Sequence, residues 1–143
     1  MFRGLKILVA TRVVAGVTAG FAAAGAGGSQ KFDLLGPTGN ALCDGSGVLS
    51  GAPGAYGFAV INAPSDGTVA TTVSIKGQQP NTTYDIRLVQ GVADCFTVDA
   101  MVTTNGQGNG TVHWSEPSVS TTALVAVDPE SGGDFFVTET YNH

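Results

Sequence analysis

Residues 68–104, TVATTVSIKGQQPNTTYDIRLVQGVADCFTVDAMVTT, constrain the fold most, because nearly the whole stretch alternates with a period of two. Val69, Thr71, Val73 and Ile75 alternate with Ala70, Thr72, Ser74 and Lys76. β-Branched residues on one side of such a run predict a half-buried strand. The run breaks at 77–81, where Pro80 lacks an amide donor and Asn81 tolerates turn geometry. Alternation then resumes, with Tyr84, Ile86 and Leu88 facing one way and Asp85 and Arg87 the other. A third run puts Phe96, Val98, Ala100 and Val102 in phase, and the turn-rich hexamer 105–110 closes it.

The remaining chain reads as further short strands. Residues 32–35 predict a strand stopped by Gly36-Pro37, 41–43 a second, and 44–53 a loop. Tyr56, Phe58 and Val60 alternate with Gly57, Ala59 and Ile61, so this strand is apolar on both sides and is expected to be central in its sheet. Residues 111–115, 123–127 and 135–141 follow, separated by Pro117 and Pro129. Strands this short and regularly spaced, without a helical period after the leader, predict an all-β antiparallel sandwich of seven to nine strands. Its core is expected to gather Phe58, Val60, Val73, Ile75, Tyr84, Ile86, Leu88, Phe96 and Val98.

The segment VSIKGQQPNTTYDIRLV resembles the corner between two strands of fibronectin type III and related immunoglobulin-like sandwiches. In those folds a Leu-x-Pro-x-Thr-x-Tyr corner sends the tyrosine hydroxyl back to upstream backbone. Pro80, Thr82 or Thr83, and Tyr84 match, while Gln78 and Gln79 stand where the leucine belongs. The resemblance covers about 25 residues, and the chain continues well past the point where a type III domain ends. It implies an immunoglobulin-like sandwich in which the Tyr84 ring points inward and its hydroxyl bonds backbone in 76–81. As a whole the chain is similar to small secreted proteins of high-GC Gram-positive bacteria, in which a Gly-, Ala-, Thr- and Val-rich sandwich follows a signal peptide. That group implies no activity.

Residues 1–26 read as a secretory signal: Arg3, Lys6 and Arg12 precede an apolar stretch over 13–24, and Ala-x-Ala sites follow. The stretch is short and Gly-rich for a membrane span of about 20 residues. The expected organisation is thus a cleavable signal helix over 1–26 and one sandwich domain over 27–143, secreted to the extracellular space and free of the membrane after cleavage. Removing the leader's three cations takes the formal charge from −5 to −8 and leaves Lys31, Lys76 and Arg87. So few cations cannot neutralise a phosphate backbone, which argues against nucleic acid and anionic lipid as partners.

Residues able to carry chemistry are sparse. Only His113 and His143 are available to a metal cluster or a catalytic triad, and His113 reads as a solvent-facing strand residue between inward Val112 and Trp114. Residues 128–134, DPESGGD, could offer a cation carboxylate and carbonyl oxygens but lack the alternating spacing of a calcium loop. They read as a solvated turn in preference to a cation site. Residues 44–47 are a weaker version of the same idea. No catalytic residue, cofactor or metal site is assigned. Trp114, Tyr56 and Phe58, with Tyr141 and Phe135 near the C-terminus, are the candidates for stacking on a sugar or other small ligand, but Tyr56 and Phe58 share a face with Val60 and Trp114 shares one with Val112, which is the pattern of a core. The sequon at 81–83 carries no meaning for a bacterial source.

The leading expectation is a non-catalytic secreted module that acts by surface interaction with an extracellular protein or polysaccharide. The alternatives are a carbohydrate- or small-ligand-binding module, and a hydrolase inhibitor presenting the loop 44–53 or 105–110. Cys43 and Cys95 are the only cysteines, and an exported chain with an even count is expected to pair them. The bond belongs at a loop end, because the residues after Cys95 are expected to enter the core.

Overall fold

A computed structural model describes residues 28–38, 48–91, 94–132 and 135–143. Residues 1–26, read above as a leader, the expected strand 41–43 with Cys43, and residues 44–47 of the expected loop 44–53 lie outside the described residues. Eleven strands are described: β1 (Gln30–Asp33), β2 (Gly36–Thr38), β3 (Val48–Ser50), β4 (Gly57–Asn62), β5 (Thr68–Ile75), β6 (Thr83–Val89), β7 (Ala100–Thr103), β8 (Gly110–Pro117), β9 (Thr122–Pro129), β10 (Phe136–Val137) and β11 (Tyr141–Asn142). One sheet has the order β1-β4-β5-β8; the other runs β10-β9-β6-β7, with β11 also paired to β9. Every pairing is antiparallel, and β2 and β3 form a separate ribbon. The fold is an all-β antiparallel sandwich of two sheets. The ribbon is a correction, since Gly36-Pro37 was expected to stop a strand and 48–50 to lie in a loop.

The organising stretch supplies the core. Val69, Thr71, Val73 and Ile75 of β5 face Tyr84, Ile86 and Leu88 of β6 across the sandwich, all essentially without solvent contact. From β9, Val125 and Val127 join the same core. Strand β4 lies between β1 and β5, as its two-sided apolar pattern predicts. Its phase, however, is the opposite of the expectation: Ala59 and Ile61 are buried, while Phe58 and Val60 are half-exposed on the outer face. Register decides this. Ala59 pairs with Val73 and Ile61 with Thr71, and directly opposed residues share a face. Gly57 shares the inward phase and has φ of 117°; a Cβ there would lie 1.9 Å from the Ser74 carbonyl oxygen, so only glycine fits.

A second correction concerns β7. Phe96 and Val98 were expected in the core, yet Phe96 is 84% exposed and Val98 40% exposed. The strand starts only at Ala100, because the chain leaves the ladder at Asp99. The Asp99 carboxylate then accepts the Leu88 N–H at 2.7 Å, replacing the backbone carbonyl that a longer β7 would supply. The same substitution splits the expected C-terminal strand 135–141 into β10 and β11: the Thr138 hydroxyl accepts the Val125 N–H at 3.0 Å. A third instance closes the corner before β6. Thr104 Oγ1 accepts the Thr82 N–H at 3.0 Å and donates to the Gln79 carbonyl. The Tyr84 ring does point inward, but the side-chain bonds that close this corner come from Thr104 rather than from the Tyr84 hydroxyl.

Candidate interaction surface

Gln90 follows β6 and is 95% buried, the position at which a polar side chain most needs partners. Its Nε2 donates to Glu116 Oε1 at 2.8 Å and to the Pro117 carbonyl at 3.0 Å. Its Oε1 accepts the Val119 N–H at 3.0 Å. Its own N–H donates to Asp94 Oδ2 at 3.3 Å. One carboxamide therefore ties the β6–β7 connection to the β8–β9 connection. Glu116 is used at both oxygens, since Oε2 accepts the Trp114 indole N–H at 2.8 Å.

Three carboxylates gather around this knot. Partial burial pushes the Asp99 carboxyl up to about 6; the Leu88 amide and Arg87 oppose the rise, and the charges of Glu116 and Asp94 add to it. Arg87 is the one cation of β6, and it is already engaged with Asp128 at 3.1 Å and Asp85 at 3.8 Å. On the same two connections and on β7 stand Phe96, Val98, Met101 (51% exposed) and Val119 (71% exposed). They are the exposed large apolar residues among the described ones; Phe96, Val98 and Val119 stand on the two connections that Gln90 joins, and Met101 lies further along β7, opposite Asp85.

The sequence-predicted aromatic candidates are not brought together. Tyr141 is fully buried, donates its hydroxyl to the Gly28 carbonyl at 3.0 Å and meets the Phe32 ring edge-on at 5.9 Å. Tyr56 is half-buried and stacks on Phe136 at 4.5 Å. Trp114 is half-buried against the core with its N–H committed to Glu116. Only Tyr141 is fully enclosed; Tyr56 and Trp114 each keep part of their surface in solvent. His113 is exposed on β8, with Nδ1 2.8 Å from Thr72 Oγ1, flanked by inward Val112 and Trp114 as expected.

The acids of the 128–132 turn diverge, because Asp128 is paired with Arg87 while Glu130 is exposed; Asp134 lies outside the described residues. This turn and the β5–β6 corner border a shallow hollow of about 260 Å³ lined by Asn81, Thr82, Thr83, Glu130 and Ser131. Among the described residues no three His, Cys, Asp or Glu side chains are placed to share a metal ion. The 105–110 turn is bound to itself, with Asn105 Oδ1 accepting the N–H groups of Gln107 and Asn109. Cys95 sits in the β6–β7 connection, buried in a small outer-face cluster with Val89, Leu124, Ala126 and Val137, and it is not a free thiol.

Sequence reasoning missed Gln90, Asp94, Asp99, Glu116 and Val119. One signal was available: Asp99 interrupts the apolar run from Phe96 to Val102, and aspartate is depleted in strands. The fold is a small β-sandwich, and the end built on Gln90 carries exposed apolar side chains beside three carboxylates. No protein-family model and no curated protein matches the sequence.

Proposed function

We propose that this domain is a secreted, non-catalytic module that works by surface interaction, and that its contact surface is the end built on Gln90. The observation that carries this reading is the exposure of Phe96, Val98 and Val119 on connections that Gln90 holds in place. Loops displayed on a rigid sandwich are a common binding device. The rigidity here comes from the fully bonded carboxamide below the loops. Export through the 1–26 leader and a Cys43–Cys95 bond belong to the same proposal. The bond would anchor the β6–β7 connection, which holds Phe96, to the N-terminal part of the chain.

The test is affinity capture from the extracellular and envelope fractions of the source cells with the mature domain. A Phe96→Ser/Val119→Ser variant serves as the control, since both side chains are in solvent and their loss leaves the fold intact. Capture of a discrete partner by the unaltered domain and its loss with the variant is the expected result. Equal capture by both proteins would overturn the assignment of this surface, as would capture of nothing by either.

A further inference from the structure

Phe96, Val98 and Val119 share the Gln90 end of the sandwich with an excess of negative charge. Asp94 and Asp99 cap the amides of Gln90 and Leu88, and Glu116 is held by Gln90 and Trp114, so all three carboxylates are fixed by uncharged donors. Arg87 is the one cation that acts on Asp99, and it is shared with Asp128 and Asp85, leaving the three carboxylates in excess. The other described cations, Lys31 and Lys76, lie in β1 and just after β5, outside these connections. A second copy of the chain would bring the same negative charge and be repelled. β7 is the terminal strand of its sheet, with Met101 exposed on it, so an extended chain can lie beside it.

From the charge and the apolar side chains together we infer that this end binds an extended protein segment in which lysine or arginine alternates with apolar residues. The apolar side chains of such a segment cover Phe96, Val98, Met101 and Val119, and its cations meet Asp94, Asp99 and Glu116. The inference rests on the proposed role of this end and adds the chemistry of the partner. Complementary charge of this kind sets partner choice and on-rate, and it is weakened by salt.

The probe is a synthetic peptide of alternating lysine and valine, with a glutamate–valine peptide of equal length as its counterpart, titrated into the mature domain by fluorescence anisotropy. The lysine peptide is expected to bind at least tenfold more tightly than the glutamate peptide, and raising the salt from about 0.05 to 0.5 M should weaken it severalfold. Asp94→Asn/Asp99→Asn keeps an oxygen acceptor for both amides while removing two charges, and it is expected to weaken the lysine peptide about tenfold. Phe96→Ser should weaken it comparably. Equal affinity for the two peptides, no binding of either, or no response to the asparagine pair would overturn the inference. Because the capture experiment uses native partners, its success alongside failure here would leave the interaction surface standing and reject only the basic partner.

Discussion

Thr71 offers the sharpest test of the energetics. It lies at the centre of β5, fully buried, with Val69 and Val73 beside it on the strand and Ile61 and Trp114 opposite on the two neighbouring strands. Its hydroxyl has no hydrogen-bond partner among the described residues. Leaving such a group buried and unpaired costs about 1–3 kcal/mol. Thr71→Val removes the hydroxyl, keeps the β-branched shape and adds a methyl in apolar surroundings. We expect it to stabilise the domain by about 1–2 kcal/mol, which corresponds to a melting point higher by roughly 5 °C for a domain of this size. Ser74, three residues along the same strand, is the internal comparison. Its hydroxyl is 2.7 Å from Thr111 Oγ1, so Ser74→Ala should cost about 1 kcal/mol where Thr71→Val gains. Urea unfolding of the mature chain followed by circular dichroism measures both. If Thr71→Val leaves the midpoint unchanged or lowers it, the hydroxyl is satisfied in solution, for example by a buried water, and the reasoning fails.

Thr104→Val is expected to cost about 2 kcal/mol, because it strips the Thr82 amide and the Gln79 carbonyl of their shared partner; Tyr84→Phe should cost less, and the reverse order in urea midpoints would return the corner to the tyrosine. Asp99 holds its proton up to about pH 6 in the folded state, well above the value for an unfolded aspartate, so the native state binds more protons than the unfolded state between about pH 4 and 6. Its contribution therefore falls as pH rises through that window, by about 1 kcal/mol once solvent screening of this half-exposed group is discounted. The difference between wild type and Asp99→Asn at pH 4.5 and pH 7 measures it, and identical pH slopes would refute it. Thiol titration of the unfolded, unreduced mature chain is expected to find no free cysteine. Reduction should then cost up to roughly 4 kcal/mol for a loop of about 50 residues, and two titratable thiols would reject the Cys43–Cys95 pairing.

The strands and their inward faces were legible where one side of the alternation is apolar and the other polar. β5 and β6 are of this kind, and so is the Val112–Trp114 segment of β8, because only one phase of each can be buried. Class followed from the same pattern. The phase of β4 was not legible, since Phe58-Val60 and Ala59-Ile61 are both apolar sets; pairing to Val73 and Thr71 selects the smaller set. For β9 likewise, only the sheet order shows that Leu124 and Ala126 are buried on the outer face as well.

The ends of β5, β8 and β9 were marked in the sequence by the 77–81 break, Pro117 and Pro129, but where β7 starts and β10 stops was decided by tertiary structure. Asp99 and Thr138 each lend a side-chain oxygen to an amide of a neighbouring strand, Thr104 lends one to the Thr82 amide just before β6, and each stands where the backbone ladder stops. A period-two pattern records which way side chains point. It holds no information about a hydrogen bond reaching across dozens of residues or from one strand to the next. The candidate surface shares this origin: Phe96 and Val98 are apolar and in phase, so their sequence says core, and they reach solvent only because Asp99 takes the Leu88 amide that their own strand would have used. Gln90 is equally silent in sequence, one polar residue before a glycine, and becomes the knot of this end only when folding brings Asp94, Glu116 and Val119 to its carboxamide and amide.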